Sequence, residues 1–268
     1  MTVTLDGASL TIDDVVRVSR GYEQVALRDD ARQKVAKCRA VLDELIKSKI
    51  IYGINTGFGA LGNVTIPPND LESLQLNLIR SHAAGVGPPL PIDVTRAMML
   101  LRANTLAKGL SGIRLSILET LIAMINSRVH PVIPERGSVG ASGDLAPLAH
   151  MTLVMIGEGY AEYMGKTMDG SAALDAASIR PVRLAAKEGL ALINGTQMMT
   201  AIGALMVHDA RKLVEYSERS GAMSLEALEG LAEAFDERLH QARPHPGQIA
   251  SAHHMRQLID GSKLVGSG

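Results

Sequence analysis

Residues 135–150 read ERGSVGASGDLAPLAH, and this stretch changes character half-way. From Gly137 to Gly143 the chain is small and glycine-rich, which allows a tight turn and close approach of backbone to backbone. From Leu145 onward the pattern is helical. Asp144 stands where a helix N-cap belongs, and Pro147 fits a first turn. On residue types alone this is a loop feeding a helix. A phosphate-cradling loop would need a following Lys-Ser/Thr and a preceding strand, and neither is present.

Outward from this loop the pattern is mainly helical. Val35, Cys38, Val41, Leu42, Leu45 and Ile46 share one face, with Asp29 or Asp30 as cap. Asn69 and Glu72 have capping-box spacing, and Leu71, Leu74 and Leu78 carry a stripe toward Gly85. Asp93 opens a segment that ends near Gly109, and 112–126 (GIRLSILETLIAMIN) reads as a buried helix. A long helix is expected from Thr196 to about Tyr216, with shorter ones near 222–233 and 247–260. Two hairpins are expected: one turning at Asp6-Gly7 between Val3, Leu5 and Leu10, Ile12, and one at 161–168 around Met164-Gly165. A second glycine-rich loop, YGINTGFGALG, fills 52–62.

Composition excludes several classes. The 268 residues are 46% hydrophobic and 21% charged, which is globular rather than disordered or fibrous. Lys plus Arg is 27 and Asp plus Glu is 28, so no charge excess points to nucleic acid or an anionic membrane. Aromatics are only 3%, so Leu, Ile, Val, Ala and 13 Met must fill the core, favouring close helix packing. The single Cys38 and the lack of a signal-like N-terminus suit a cytoplasmic setting, and charged or polar residues break the longest apolar runs. One cysteine and no HExxH leave no support for a zinc site, and His253-His254, about 100° apart on a helix, suit a shared metal poorly. Arg80, Arg96, Arg102 and Arg114 read as solvated faces or ion-pair partners, His150 as packed, and Met198-Met199 as core filling.

Five blocks in order, YGINTGFG (52–59), RSHAAGVG (80–87), GSVGASGD (137–144), GLALINGTQ (189–197) and ARPHPGQ (242–248), closely resemble the histidine and aromatic amino acid ammonia-lyases. In that family an internal Ala-Ser-Gly cyclises to 4-methylidene-imidazol-5-one (MIO). The resemblance therefore implies MIO formation from Ala141, Ser142 and Gly143. The residue types suit the chemistry: the Gly143 nitrogen must reach the Ala141 carbonyl, Ser142 must lose its hydroxyl, and the product is an electrophile that no unmodified side chain provides.

The resemblance also assigns roles. Tyr52 matches the base that removes the substrate β-proton, although by itself it reads as a turn tyrosine on a glycine loop. Asn194 matches the asparagine beside MIO, and is equally good as a helix cap before Gly195. Ser81-His82 resembles the pair of histidine-specific members, because a His can hydrogen-bond an imidazole. Gly59, Asp144 and Gln197 take supporting places. Conversion of L-histidine to urocanate and ammonia follows as the implied activity. Tyrosine or phenylalanine ammonia-lyase, an aminomutase, or a non-catalytic half that assembles with a complementary chain are the alternatives.

The implied fold is mainly α. An MIO-bearing N-terminal domain (1–195) with short hairpins leads into the first helices of a central helical bundle (196–268). Family members are usually near twice this length and form homotetramers, and their second half supplies a carboxylate-binding arginine. The tail GSKLVGSG reads as a loop cut open, so a homo-oligomer or a complementary C-terminal half is the expected partner.

Overall fold

A computed structural model describes residues 2–59 and 62–266, which divide at Leu205/Met206 into two units. The first unit begins with β1 (Thr2–Leu5), α1 (Ile12–Ser19) and β2 (Gln24–Leu27). β1 and β2 pair in parallel, Thr2 opposite Gln24 through Leu5 opposite Leu27, so the hairpin expected at Asp6-Gly7 does not form. The Asp6 carboxylate accepts hydrogen bonds from the Ala8 and Ser9 amides and the Ser9 hydroxyl, and turns the chain outward. Thr11 and Asp14 then form a reciprocal capping box that starts α1. A helix, not a return strand, is therefore the next element.

Next come α2 (Asp29–Leu45), α3 (Leu71–His82), β3 (Val86–Pro89), α4 (Ile92–Ala107) and α5 (Leu115–Ser127). Asp29 and Asp30 lie in the first turn of α2, where they suit the helix dipole, but Arg28 holds the N-cap position. The capping box expected from Asn69 and Glu72 is absent: Pro68–Asp70 form a 3₁₀ turn, and Asp70 is the N-cap of α3 without a side-chain bond. β4 (His130–Pro131), β5 (Pro134–Arg136), α6 (Leu145–Met155), β6 (Tyr160–Tyr163), β7 (Lys166–Asp169), α7 (Gly170–Ala176) and α8 (Glu188–Ile193) follow. β6 and β7 form the hairpin expected around Met164-Gly165, and β4 joins its edge.

α4 crosses the centre of the first unit. Met98, Met99, Leu100 and Leu106 on α4, Leu118, Leu121 and Met124 on α5, and Met151 and Met155 on α6 are fully buried together. The aromatic-poor sequence thus packs helices with methionine and branched aliphatics, as composition required. Two α4 residues overturn the surface reading given to them. Arg96 and Arg102 are buried, 1% and 3% exposed. Arg96 donates to Val18 O at the end of α1 and to Ile125 O at the end of α5, and its guanidinium lies 4.4 Å over the Tyr22 ring. It donates to carbonyls at two helix ends, with both Nε and Nη2 on Val18 O and Nη1 on Ile125 O beside the Arg128 amide.

α9 (Gln197–Ala227) starts in the first unit and runs past Tyr216 to absorb the start of the segment expected at 222–233. The second unit adds a 3₁₀ turn at Ala232–Phe235, α10 (Glu237–Gln241) and α11 (Pro246–Leu258), around Ala222, Met255 and Ile259. In it, His254 pairs with Glu218. The stretch Glu188–Ala227 is long and apolar enough by length and composition to cross a bilayer, whereas the longest apolar runs were expected to be broken by charged or polar residues before that length. It comprises α8 and α9, whose Leu192, Ile193, Ala201 and Leu205 are buried in the first unit's core. Met198 joins that core, but Met199 is half exposed.

Candidate active site

The glycine loop is fixed at both ends by backbone contacts. Contrary to the expectation that no strand precedes the loop, the short β5 leads into it and pairs antiparallel with β3 in an irregular register, a pairing across 45 residues or more that local sequence does not show. This pairing sets Gly137 against Gly85, where an added Cβ on Gly137 would lie 3.0 Å from the Gly85 Cα. At the far end the Asp144 amide donates to Gly195 O at 2.6 Å. Gly143 has φ +137°, and a Cβ there would collide with the same carbonyl oxygen. Glycine at 143 is therefore required both by its backbone conformation and by the closeness of the Asn194–Gly195 turn.

Between these anchors Ala141 and Ser142 are exposed. They face a cavity of about 280 Å³ that is also lined by Ser81, His82, Ala84 and Gly143. A second, largely apolar cavity of about 340 Å³ includes Gly57, Phe58, Leu74 and Leu78. Ser81 and His82 line both cavities and so form the partition between the glycine loop and the 52–59 loop.

Ser81 and His82 occupy the last turn of α3. The Ser81 hydroxyl donates to Leu78 O at 3.0 Å, and His82 Nδ1 lies 2.9 Å from the same carbonyl and 3.1 Å from Ser81 Oγ. A carbonyl only accepts, so Nδ1 carries the proton and Nε2 is left as an acceptor. Behind them, His150 Nε2 accepts the Gly85 amide at 3.0 Å. Burial pulls the His150 pKa below its ordinary value. A depressed folded-state value means that neutral His150 stabilises the fold above pH 6.5, and that this contribution is lost as pH falls through the folded value. The protection factor of the Gly85 amide, its exchange rate set against the intrinsic rate at each pH, is expected to fall on acidification through that range. In His150→Leu the protection factor is expected to be low at every pH.

Asp144 was expected to cap α6, which begins beside it. Its carboxylate instead accepts from Ser138 Oγ at 2.7 Å and from the Met199 amide at 2.9 Å. The side chain is 1% exposed and makes no cap bond to α6. Asp144 closes the base of the glycine loop and caps the third residue of α9, where a negative charge also suits the helix dipole.

Asn194 is the C-cap of α8 and is exposed. Its backbone oxygen accepts from both Arg102 Nη1 and Nη2 at 3.1 Å. Arg102 also donates to Ala191 O and to Gln197 Oε1, the latter at 2.9 Å, and Gln197 Nε2 donates to Thr105 Oγ1 at 3.1 Å. Burial pulls the Arg102 guanidinium down to about 10, which still leaves it charged at neutral pH. Sequence reasoning missed Arg102 and Arg96. The signal was RAMMLLRA, two arginines framed by an otherwise apolar helical run.

The 52–59 loop is knit by its own polar side chains. Asn55 bonds Ile51 N and Lys49 O, and Thr56 Oγ1 accepts from Gly53 N. The Tyr52 phenol oxygen accepts from the Gly59 amide at 3.1 Å, and its ring covers Gly62. Tyr52 is 58% exposed and lines neither cavity. The fold thus gathers Ser81, His82, Ala141, Ser142 and Gly143 at one cavity. It sets Asn194 and Gln197 behind Gly143 through Arg102, and pairs Tyr52 with Gly59 on a loop of their own.

The aromatic amino acid lyase family model matches residues 10–268. The chain belongs to the aromatic amino acid lyase family. Among curated relatives, a histidine ammonia-lyase from Alkaliphilus oremlandii is 55% identical over 97% of this chain and 52% of its own length. One from Caldanaerobacter subterraneus subsp. tengcongensis is 52% identical over 98% and 52%. Among solved structures, the histidine ammonia-lyase from Trypanosoma cruzi superposes with TM-score 0.89 at 43% identity, covering 96% of this chain and 50% of that one. Phenylalanine aminomutase from Pantoea agglomerans gives 0.92 at 34% identity, covering 99% and 51%. This chain shares the mainly α fold of those lyase and aminomutase structures, and spans about half the length of the relatives it matches.

Proposed function

We propose that this aromatic amino acid lyase chain carries the electrophile-forming part of a carbon–nitrogen lyase that releases ammonia from L-histidine to give urocanate. The observation that carries the reading is the Ala141-Ser142-Gly143 loop, facing a cavity whose opposite wall is Ser81-His82. The loop fits the MIO group: Gly143 sits where any Cβ would strike Gly195 O, and Ala141 and Ser142 are exposed to the cavity. Once formed from these three residues, the group supplies an electrophilic methylidene.

The other roles fall to ordinary side chains. His82, with its Nδ1 proton held by Leu78 O, offers Nε2 to the imidazole N–H of a histidine substrate. An apolar residue there would leave that N–H unpaired. The family resemblance assigns the β-proton to the Tyr52 phenol oxygen, although the ring lines neither cavity in this structure. The Gly59 amide already donates to that oxygen, which fixes where the phenol stands on its loop. Asp144, Asn194 and Gln197 hold the loop and the turn beneath it. The same electrophile would serve tyrosine or phenylalanine lyases and aminomutases; Ser81-His82 and the 52–55% identity to histidine ammonia-lyases favour histidine.

In this reading, 1–195 carries the electrophile and 196–268 opens a helical bundle. Within the second unit, Met206 and Leu213 lie seven residues apart on α9 and both are more than half exposed. That spacing supports association with further helices, in a homotetramer or with a complementary C-terminal half. The test is ultraviolet detection of urocanate, with equal ammonia release, from L-histidine and the assembled enzyme. Tyr52→Phe is expected to lower kcat by about 10²–10⁴-fold with little change in fold. Turnover of phenylalanine or tyrosine in preference to histidine would overturn the substrate assignment.

A further inference from the structure

Arg102 is a buried cation whose acceptors, Ala191 O, Asn194 O and Gln197 Oε1, are all uncharged. Its Nε finds no hydrogen-bond partner. A buried charge without a counterion is costly, so a neutral side chain of similar bulk would serve the core better if packing were its only task. What the guanidinium alone provides is a fork that grips two carbonyls at the end of α8 and one amide at the start of α9. Gly195 and Thr196 lie between those grips, and Gly195 O is the acceptor for the Asp144 amide, immediately after Gly143. An added Cβ on Gly195 would run into Arg102 Nη1, so the turn and the guanidinium are in direct contact.

We propose that Arg102 is a positioning residue for cyclisation of Ala141-Ser142-Gly143, acting through the Asn194–Gly195 turn. The inference rests on the reading that this loop forms MIO. In that reaction the Gly143 nitrogen bonds to the Ala141 carbonyl carbon. The carbonyl oxygen leaves as water with the amide protons of Gly143 and Ser142. Ser142 then loses its hydroxyl and its α-proton as a second water. The first bond requires the Gly143 nitrogen to turn toward the Ala141 carbonyl. That orientation is set from below by the Gly195 carbonyl, which holds the next amide, and Arg102 fixes where that carbonyl stands.

Arg96 provides a matched control. It is a buried arginine on the same helix that also grips helix-terminal carbonyls, but at Val18 and Ile125 instead of beside the glycine loop. The experiment is intact-mass analysis of the purified 268-residue chain through a time course after expression, with thermal unfolding measured in parallel. The wild type, Arg102→Lys, Arg96→Lys and Gln197→Leu are compared. Lysine keeps the charge but cannot bridge all three acceptors. Arg102→Lys is expected to slow the loss of two waters by about tenfold or more, as the loss of bonds to a charged donor implies. Arg96→Lys, at similar loss of Tm, is expected to cyclise like the wild type. Gln197→Leu removes one anchor of the guanidinium and is expected to slow cyclisation by a smaller factor. It is the variant that decides if Arg102→Lys does not fold. Wild-type cyclisation in Arg102→Lys, or in Gln197→Leu where only that variant folds, overturns the proposal. Equal slowing in Arg96→Lys also overturns it, since that would be a general effect of stability. A wild-type chain that never loses the two waters overturns the MIO reading itself and this proposal with it.

Discussion

Replacing Gly143 by alanine is expected to abolish ring closure outright. Two costs act at one atom. The residue sits at φ +137°, a conformation that side chains rarely adopt, and the new methyl would collide with Gly195 O. The carbonyl cannot simply retreat. Its own residue is wedged against Arg102 and Gln197, and it holds the Asp144 amide at 2.6 Å. Strain of this kind amounts to roughly 3 kcal/mol. The chain can relieve it only by swinging Gly143 away from the turn, which separates the nitrogen from the geometry that ring closure needs. Intact mass should therefore equal the encoded mass for Gly143→Ala, with a Tm below that of the wild type. Full loss of two waters in this variant would mean that the contact with Gly195 has no part in the reaction.

Asp144→Ala is expected to cause a large loss of stability. The carboxylate is buried and has two donors, Ser138 Oγ and Met199 N. Removing it leaves a hydroxyl and a helix N-terminal amide without their partner, and takes a favourable charge from the start of α9. The sum is on the order of 2–4 kcal/mol by these terms. Chemical denaturation should show it as a lower midpoint at an unchanged slope. Asp144→Asn keeps an acceptor oxygen and should recover part of the loss. If Asp144 capped α6 alone, as its place in sequence suggests, hydrogen exchange at Met199 would be the same in wild type and Asp144→Ala. The structure predicts faster exchange in the variant.

What the sequence revealed depended on the range of the interaction. The helices at 29–45, 92–107 and 115–127 and the hairpin at Met164-Gly165 follow from local periodicity and turn chemistry, and all form. The N-terminal hairpin fails because the Asp6 turn and the Thr11–Asp14 capping box redirect the chain into α1, leaving β1 to pair with β2 in parallel. The break expected after Tyr216 does not occur because no proline lies between 197 and 227 to end α9. At the site, Ser81, His82 and the Ala-Ser-Gly loop were marked by resemblance, and the fold brings them to one cavity. Arg102 was not legible as a site residue. A charged side chain reads as solvated by default, and its acceptors lie 89 to 95 positions away. The partners of Asp144 were hidden similarly: local position suggests α6, whereas the Met199 bond spans 55 positions.

The proposed function stands on Ala141, Ser142 and Gly143 closing into an electrophile in this chain. The intact mass of the purified protein, set beside that of Ser142→Ala, tests it directly. The expected result is a wild type lighter than its encoded mass by two waters and a variant that lacks the second loss, since alanine has no hydroxyl to eliminate. A wild-type mass equal to the encoded mass would contradict it.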